Sequence, residues 1–102
     1  NVYPSEVERV LMEHPAVAMC AVIGKPDPER GEVPIAVIVP KPETQPDPRE
    51  IIRFARERLA NFKVPREVLF RSELPLSNTG KVLKRLLKKE LEMENGSEGR
   101  GQ

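Results

Sequence analysis

The apolar run Ala16–Ile23 (Ala-Val-Ala-Met-Cys-Ala-Val-Ile) constrains this chain most, because Pro15 and Gly24 close it at both ends. At eight residues it is too short for a core helix, and its β-branched content suits a buried strand. A second run, Ile35–Val39, is stopped by Pro40 and Pro42. Between them, Lys25–Glu32 is punctuated by proline and glycine and reads as a hairpin-like connection longer than a tight turn.

Helices are expected on either side of these strands. Ser5 followed by Glu8 has the form of a capping box just after Pro4, and Val7, Val10 and Leu11 repeat at helical spacing until Pro15. Lys41–Asp47 is polar and reads as a surface loop. Asp47, Pro48 and Glu50 then supply cap, first-turn proline and capping-box partner for a second helix. Ile51, Ala55 and Leu59 line its inner face and Phe62 closes its end, with Arg53, Arg56, Glu57 and Arg58 solvated. Glu67–Arg71 is a third strand. A last helix carries Val82, Leu83, Leu86, Leu87 and Leu91 as a core stripe, with Lys84, Arg85, Lys88 and Lys89 outward. Residues 94–102 lack apolar anchors and are expected to form a disordered polar tail. The fold class is therefore α+β: a small three-stranded sheet flanked by helices, in the order α-β-β-α-β-α.

Composition narrows the function. A chain of 102 residues makes one domain. Its formal charge of +1 argues against a general nucleic-acid binder. No apolar run is long enough to span a bilayer, and no signal peptide is present. The single cysteine, Cys20, falls in an apolar run and reads as core, which suits a reducing, cytoplasmic setting. His14 has no partners at ligand spacing, so no metal site is expected. The start at Asn1, directly before a helix signal, reads as a domain cut from a longer protein.

The stretch Pro75–Arg85 holds the strongest chemical signal. It sets Lys81 after Gly80 where a polar loop is expected to give way to the last helix. A helix start attracts anions, a lysine there adds a full charge, and a glycine leaves room for close backbone approach. A phosphate-wrapping nucleotide loop would need glycine at position 75 and Ser or Thr at 82, where Pro75 and Val82 stand. That motif is rejected. Local chemistry alone leaves two readings open, an anion-handling Lys81 and a solvated lysine at a helix start.

Together, Asn1-Val-Tyr-Pro-Ser-Glu-Val-Glu8, Asp27-Pro-Glu-Arg-Gly-Glu32, Leu59-Ala-Asn-Phe-Lys-Val-Pro65 and Pro75-Leu-Ser-Asn-Thr-Gly-Lys81 resemble the small C-terminal domain of the adenylate-forming superfamily. Acyl-CoA synthetases, nonribosomal-peptide adenylation domains and firefly-type luciferases belong to that group. The resemblance implies that residues 1–93 are the C-terminal lid of an AMP-forming acyl-CoA synthetase, itself inactive without its N-terminal domain. Such enzymes join a carboxylic acid to the α-phosphate of ATP, with Mg2+, and then pass the acyl group to coenzyme A. Lys81, with Gly80, matches the lysine that meets carboxylate and adenylate oxygens. Phe62, Lys63 and Arg66 match a segment beside the nucleotide end of CoA, and Val64 stands where some relatives carry a second cation.

The resemblance implies further partners: a fatty or other apolar carboxylate, ATP, CoA and the N-terminal domain of the same enzyme. The Pro75–Lys81 spacing also resembles the segment recognised by lysine acetyltransferases that silence some acyl-CoA synthetases, through loss of the Lys81 charge. One alternative is an adenylation-domain lid of a peptide synthetase, loading a carrier protein. Another is a small module that binds nucleic acid or a protein through the basic helix Lys81–Lys89.

Overall fold

The computed structural model describes residues 2–94 in full and helical backbone as far as Arg100. In chain order the elements are α1 (Pro4–Leu11), β1 (Val17–Asp27), β2 (Gly31–Pro40), α2 (Pro48–Arg56), a 3-10 turn (Asn61–Lys63), β3 (Glu67–Phe70) and α3 (Lys84–Arg100). The expected α+β order is present. The chain divides into two units, Asn1–Ser72 and Glu73–Gln102.

In the first unit the sheet order is β1-β2-β3, with β1 antiparallel and β3 parallel to β2. The hairpin is tighter than its sequence implied. Lys25 pairs with Val33, Pro26 with Glu32 and Asp27 with Gly31, which leaves only residues 28–30 as the turn. Pro26 is tolerated because β1 is an edge strand. The Asp27 carboxylate accepts from the N–H groups of Glu29 (3.1 Å) and Arg30 (2.8 Å), and Gly31 closes the turn at φ 81°.

Strand alternation divides the buried residues. Cys20, Val22, Ala36, Ile38 and Val68 join Val7, Val10 and Leu11 of α1 and Ile51 and Ala55 of α2 in one core cluster. Ala21, Ile23, Ile35 and Val37 are buried on the opposite face of the strands. Leu11, Ile38 and Ile51 are fully enclosed, each stabilising the fold by about 1.5–3 kcal/mol relative to exposure.

Two capping expectations change. Pro4 takes the first helical position of α1, so Ser5 lies inside the helix and no side chain caps it. Glu8 reaches across instead: its Oε2 accepts from the Val22 N–H at 2.8 Å, which ties α1 to the edge strand. Asp47 does cap α2, accepting from the Arg49 N–H at 2.7 Å with Pro48 following. Glu50, however, binds His14 rather than closing a capping box. Buried His14 accepts the Ala16 N–H on Nδ1 at 3.0 Å, so Nε2 carries the proton and donates to Glu50 Oε2 at 2.9 Å. His14 is thus a connector between α1 and α2.

Helix α2 ends at Arg56, earlier than its periodicity suggested. Extended backbone at Ala60 (φ −57°, ψ 145°) breaks the register before the 3-10 turn. Leu59 stays buried, but Phe62, expected to close the core, is 59% exposed.

In the second unit Leu76 and Val82 form an isolated antiparallel bridge, and α3 begins only at Lys84. The expected apolar stripe is therefore broken: Val82 precedes the helix, Leu87 is buried, and Leu83 and Leu86 are 40% and 43% exposed. Helix α3 takes in most of the segment marked by the sequence as a disordered tail. Side chains past Glu94, and residues 101–102, lie outside the described residues. Among the described residues no helix is long and apolar enough to cross a membrane.

Candidate functional site

Lys81 sits in a built turn and not at a helix start, because three residues separate Gly80 from α3. Ser77 organises that turn. Its N–H donates to the Lys81 carbonyl at 2.8 Å, and its Oγ accepts from the N–H groups of Lys81 (3.1 Å) and Thr79 (3.3 Å). The Gly80 N–H returns to the Ser77 carbonyl at 3.0 Å, and the two hydroxyls of Ser77 and Thr79 lie 3.0 Å apart. Pro75 anchors the other side, accepting from the Leu83 N–H at 2.9 Å.

Gly80 serves this turn through its backbone angle. Its φ is 86°, a region that a residue with a Cβ enters only at a cost, and no atom lies within 4 Å of where a Cβ would stand. The Lys81 backbone is thus held while its side chain is exposed, and among the described residues its ammonium has no ion-pair partner. The arrangement presents one mobile-headed cation on a fixed stem. Lys81 lies ahead of α3 and outside its first turn, and the hairpin positions it instead. Ser77 was not singled out as the organiser of this turn, although a hydroxyl three residues before a glycine is a turn signal.

The other expected residues belong to the first unit. Phe62 and Lys63 lie on the 3-10 turn, and Arg66 immediately precedes β3 with its N–H bonded to the Pro34 carbonyl at 2.9 Å. Buried Val64 and Pro65 hold this segment to the core. Val64 is only 5% exposed, so this position is spent on packing.

Arg66 borders three adjoining cavities of about 160, 270 and 230 Å³. The first is also lined by Arg30, Glu32, Asn61, Phe62 and Val64; Arg56 joins Arg30 and Arg66 around the third. The first and third cavities are mainly cationic, with Phe62 at one side, whereas Asp27 and Glu67 balance Lys25 and Arg66 around the second. The local sequence reading missed Arg30 and Arg56: one lies in the hairpin turn and the other on the solvated face of α2.

Lys63 is placed differently from its neighbours. Its Nζ lies 2.7 Å from Glu6 Oε1 and above the Tyr3 ring at 4.8 Å, with only 21% of its side chain exposed. Tyr3 and Phe62 meet edge to face at 5.8 Å between centroids. This arrangement fastens the start of the chain to the 3-10 turn. The pair's net contribution is about 1 kcal/mol or less, given the exposure of both partners.

The AMP-binding enzyme C-terminal domain family matches residues 6–81, the last of which is Lys81. A feruloyl-CoA synthase from an Amycolatopsis species is 49% identical over 84 residues, 82% of this chain and 17% of that protein. A long-chain-fatty-acid–CoA ligase from Bacillus subtilis (strain 168) is 47% identical over 95 residues, 93% of this chain and 17% of the relative. Among solved structures, a Mycobacterium tuberculosis fatty acyl CoA synthetase superposes with a TM-score of 0.80 at 38% identity, covering 88% of this chain and 18% of the other. Apo MatB from Rhodopseudomonas palustris does so with a TM-score of 0.83 at 37% identity, with the same coverage. The chain thus spans under a fifth of the length of these relatives. From the match through Lys81 and the superposed fold, this chain belongs to the AMP-binding enzyme C-terminal domain family.

Proposed function

We propose that this chain is the mobile C-terminal lid of an ATP-dependent, AMP-forming acyl-CoA synthetase, and that Lys81 carries its part in the first half-reaction. The observation behind this reading is an exposed ammonium on a turn whose backbone is fully fastened by Ser77 and Gly80. In that half-reaction a carboxylate oxygen bonds to the α-phosphorus of ATP and pyrophosphate leaves. Two anions must approach, and charge moves onto the departing group. A positioned cation lowers that barrier without giving or taking a proton.

The cationic groove serves the second half-reaction. There the thiol of CoA attacks the acyl carbonyl, its proton is released, and AMP departs. Arg66, with Arg30 and Arg56 beside it, suits the phosphates of CoA, and exposed Phe62 suits its adenine. Lys63 acts at one remove, by holding the 3-10 turn against Glu6 and Tyr3. The acid is an apolar carboxylate, in keeping with the feruloyl and fatty-acid names of the relatives.

Among the described residues no three His, Cys, Asp or Glu side chains converge as metal ligands. The reading leaves magnesium with ATP in the N-terminal domain.

Lys81→Ala in the full-length enzyme tests the reading. ATP–pyrophosphate exchange should fall about 10²–10³-fold, as for loss of one charge-stabilising donor. Thioester formation from supplied acyl-adenylate should be largely kept. Equal losses in both steps would refute the assignment.

A further inference from the structure

The groove beside Phe62 is not uniformly positive. Glu32 lines the same cavity as Phe62, Arg30 and Arg66, and so does Asn61. The carboxyl group of Glu32 rests on the face of Gly24, in space that any Cβ at position 24 would invade. Pro26 pairs with Glu32 across the hairpin, so the backbone that carries this carboxylate is fixed by the strand register. Among the described residues, neither the Glu32 carboxylate nor the Asn61 amide has a hydrogen-bond or ion-pair partner within the chain.

A site made only to hold phosphate gains nothing from a carboxylate, which repels the ligand. A ligand that combines anionic groups with an N–H donor would use both kinds of residue. Adenine offers such a donor in its exocyclic amine, flanked by ring nitrogens that accept. A carboxylate accepts only, whereas an asparagine amide can accept from the amine and donate to a neighbouring ring nitrogen. The cavity's volume, about 160 Å³, is several times the share of one water in the liquid, which leaves room for a planar base.

We infer that Glu32 and Asn61 read the adenine of coenzyme A through its exocyclic amine while Phe62 stacks on the ring. Glu32 is then a specificity-determining residue of the thioester step, and Gly24 is the residue that lets it lie flat. This inference rests on the reading of the groove as the CoA site.

The test uses the full-length enzyme with CoA and with its hypoxanthine analogue, in which oxygen replaces the exocyclic amine. The unaltered enzyme should prefer CoA by about tenfold in kcat/KM, the scale of a good base-edge contact. Glu32→Ala should bring that ratio close to one by slowing CoA use and easing analogue use, with ATP–pyrophosphate exchange little changed. Asn61→Ala should lower the ratio as well. Equal use of the two thiols by the unaltered enzyme, or a preference that survives in both variants, overturns the inference. Arg66→Ala and Phe62→Ala separate the two levels of the argument. If both leave the KM for CoA unchanged, the CoA reading of the groove fails and the inference falls with it. If they raise that KM while the preference persists in Glu32→Ala and Asn61→Ala, only the base-reading role is wrong.

Discussion

Replacing Gly80 by alanine and by asparagine separates backbone conformation from steric room at the Lys81 turn. Gly80 has a φ of 86°, and the place of its missing Cβ is open space. A substitution therefore costs conformational energy and creates no clash. Alanine in the left-handed region costs about 1–2 kcal/mol, which lowers the ratio of native to alternative turn conformations by a factor of about 5–30. Asparagine enters that region more readily than alanine, because its short polar side chain bonds locally. The native turn is held by the Ser77 bonds to Lys81 and Thr79, none of which the substitutions remove. Adenylation, read as ATP–pyrophosphate exchange in the full-length enzyme, should then rank Gly80 above Gly80→Asn above Gly80→Ala. The alanine variant should fall by up to about 30-fold and the asparagine variant by less. Thioester formation from supplied acyl-adenylate should change little in either. Asparagine doing worse than alanine would mean that size decides, and the conformational account would be refuted.

Three other substitutions probe the first unit. Ile51→Ala, at a fully buried position in the cluster shared by α1, α2 and the sheet, should destabilise the fold by about 2–5 kcal/mol in denaturant unfolding. Glu8→Ala should cost about 1–3 kcal/mol by leaving the Val22 N–H without its acceptor, and Glu8→Gln should recover most of that loss, in the same measurement. Gly24→Ala should barely move the thermal midpoint, because only the end of the flexible Glu32 side chain has to shift. It should nonetheless weaken discrimination between CoA and its hypoxanthine analogue, measured as the ratio of kcat/KM values.

What the sequence made legible, and what it hid, follows from how local each signal is. The run Ala16–Ile23 and the Asp47-Pro48 start of α2 carry their information within a few residues, and both appear where expected. The Ser5–Glu8 pair carried the same local grammar and was overridden. An edge strand supplied Glu8 with a distant N–H, and no local pattern announces a partner fourteen positions away. Glu50 was captured by His14 in the same way. Phe62, Leu83 and Leu86 failed for another reason. Helical periodicity assumes that a helix continues, and backbone angles at Ala60 and the Leu76–Val82 bridge ended or delayed it.

The candidate site residues divide along the same line. Lys81 was visible because its glycine and its lysine are adjacent in sequence, although the hairpin that presents it was not foreseen. The groove was half hidden because Arg30 and Glu32 come from the hairpin, Arg56 from α2, and Asn61, Phe62 and Arg66 from the segment before β3. Only the fold gathers those side chains around one space. A reading confined to Phe62-Lys63-Val64-Pro65-Arg66 finds an aromatic ring and two cations. It then assigns Lys63 to the ligand, though that ammonium is held by Glu6 at 2.7 Å. The two cavities beside Asn61 instead supply their charge through Arg30, Arg56 and Arg66 and add the carboxylate of Glu32. That mixed charge favours a base-bearing ligand over a simple anion, because a phosphate alone would be opposed by Glu32.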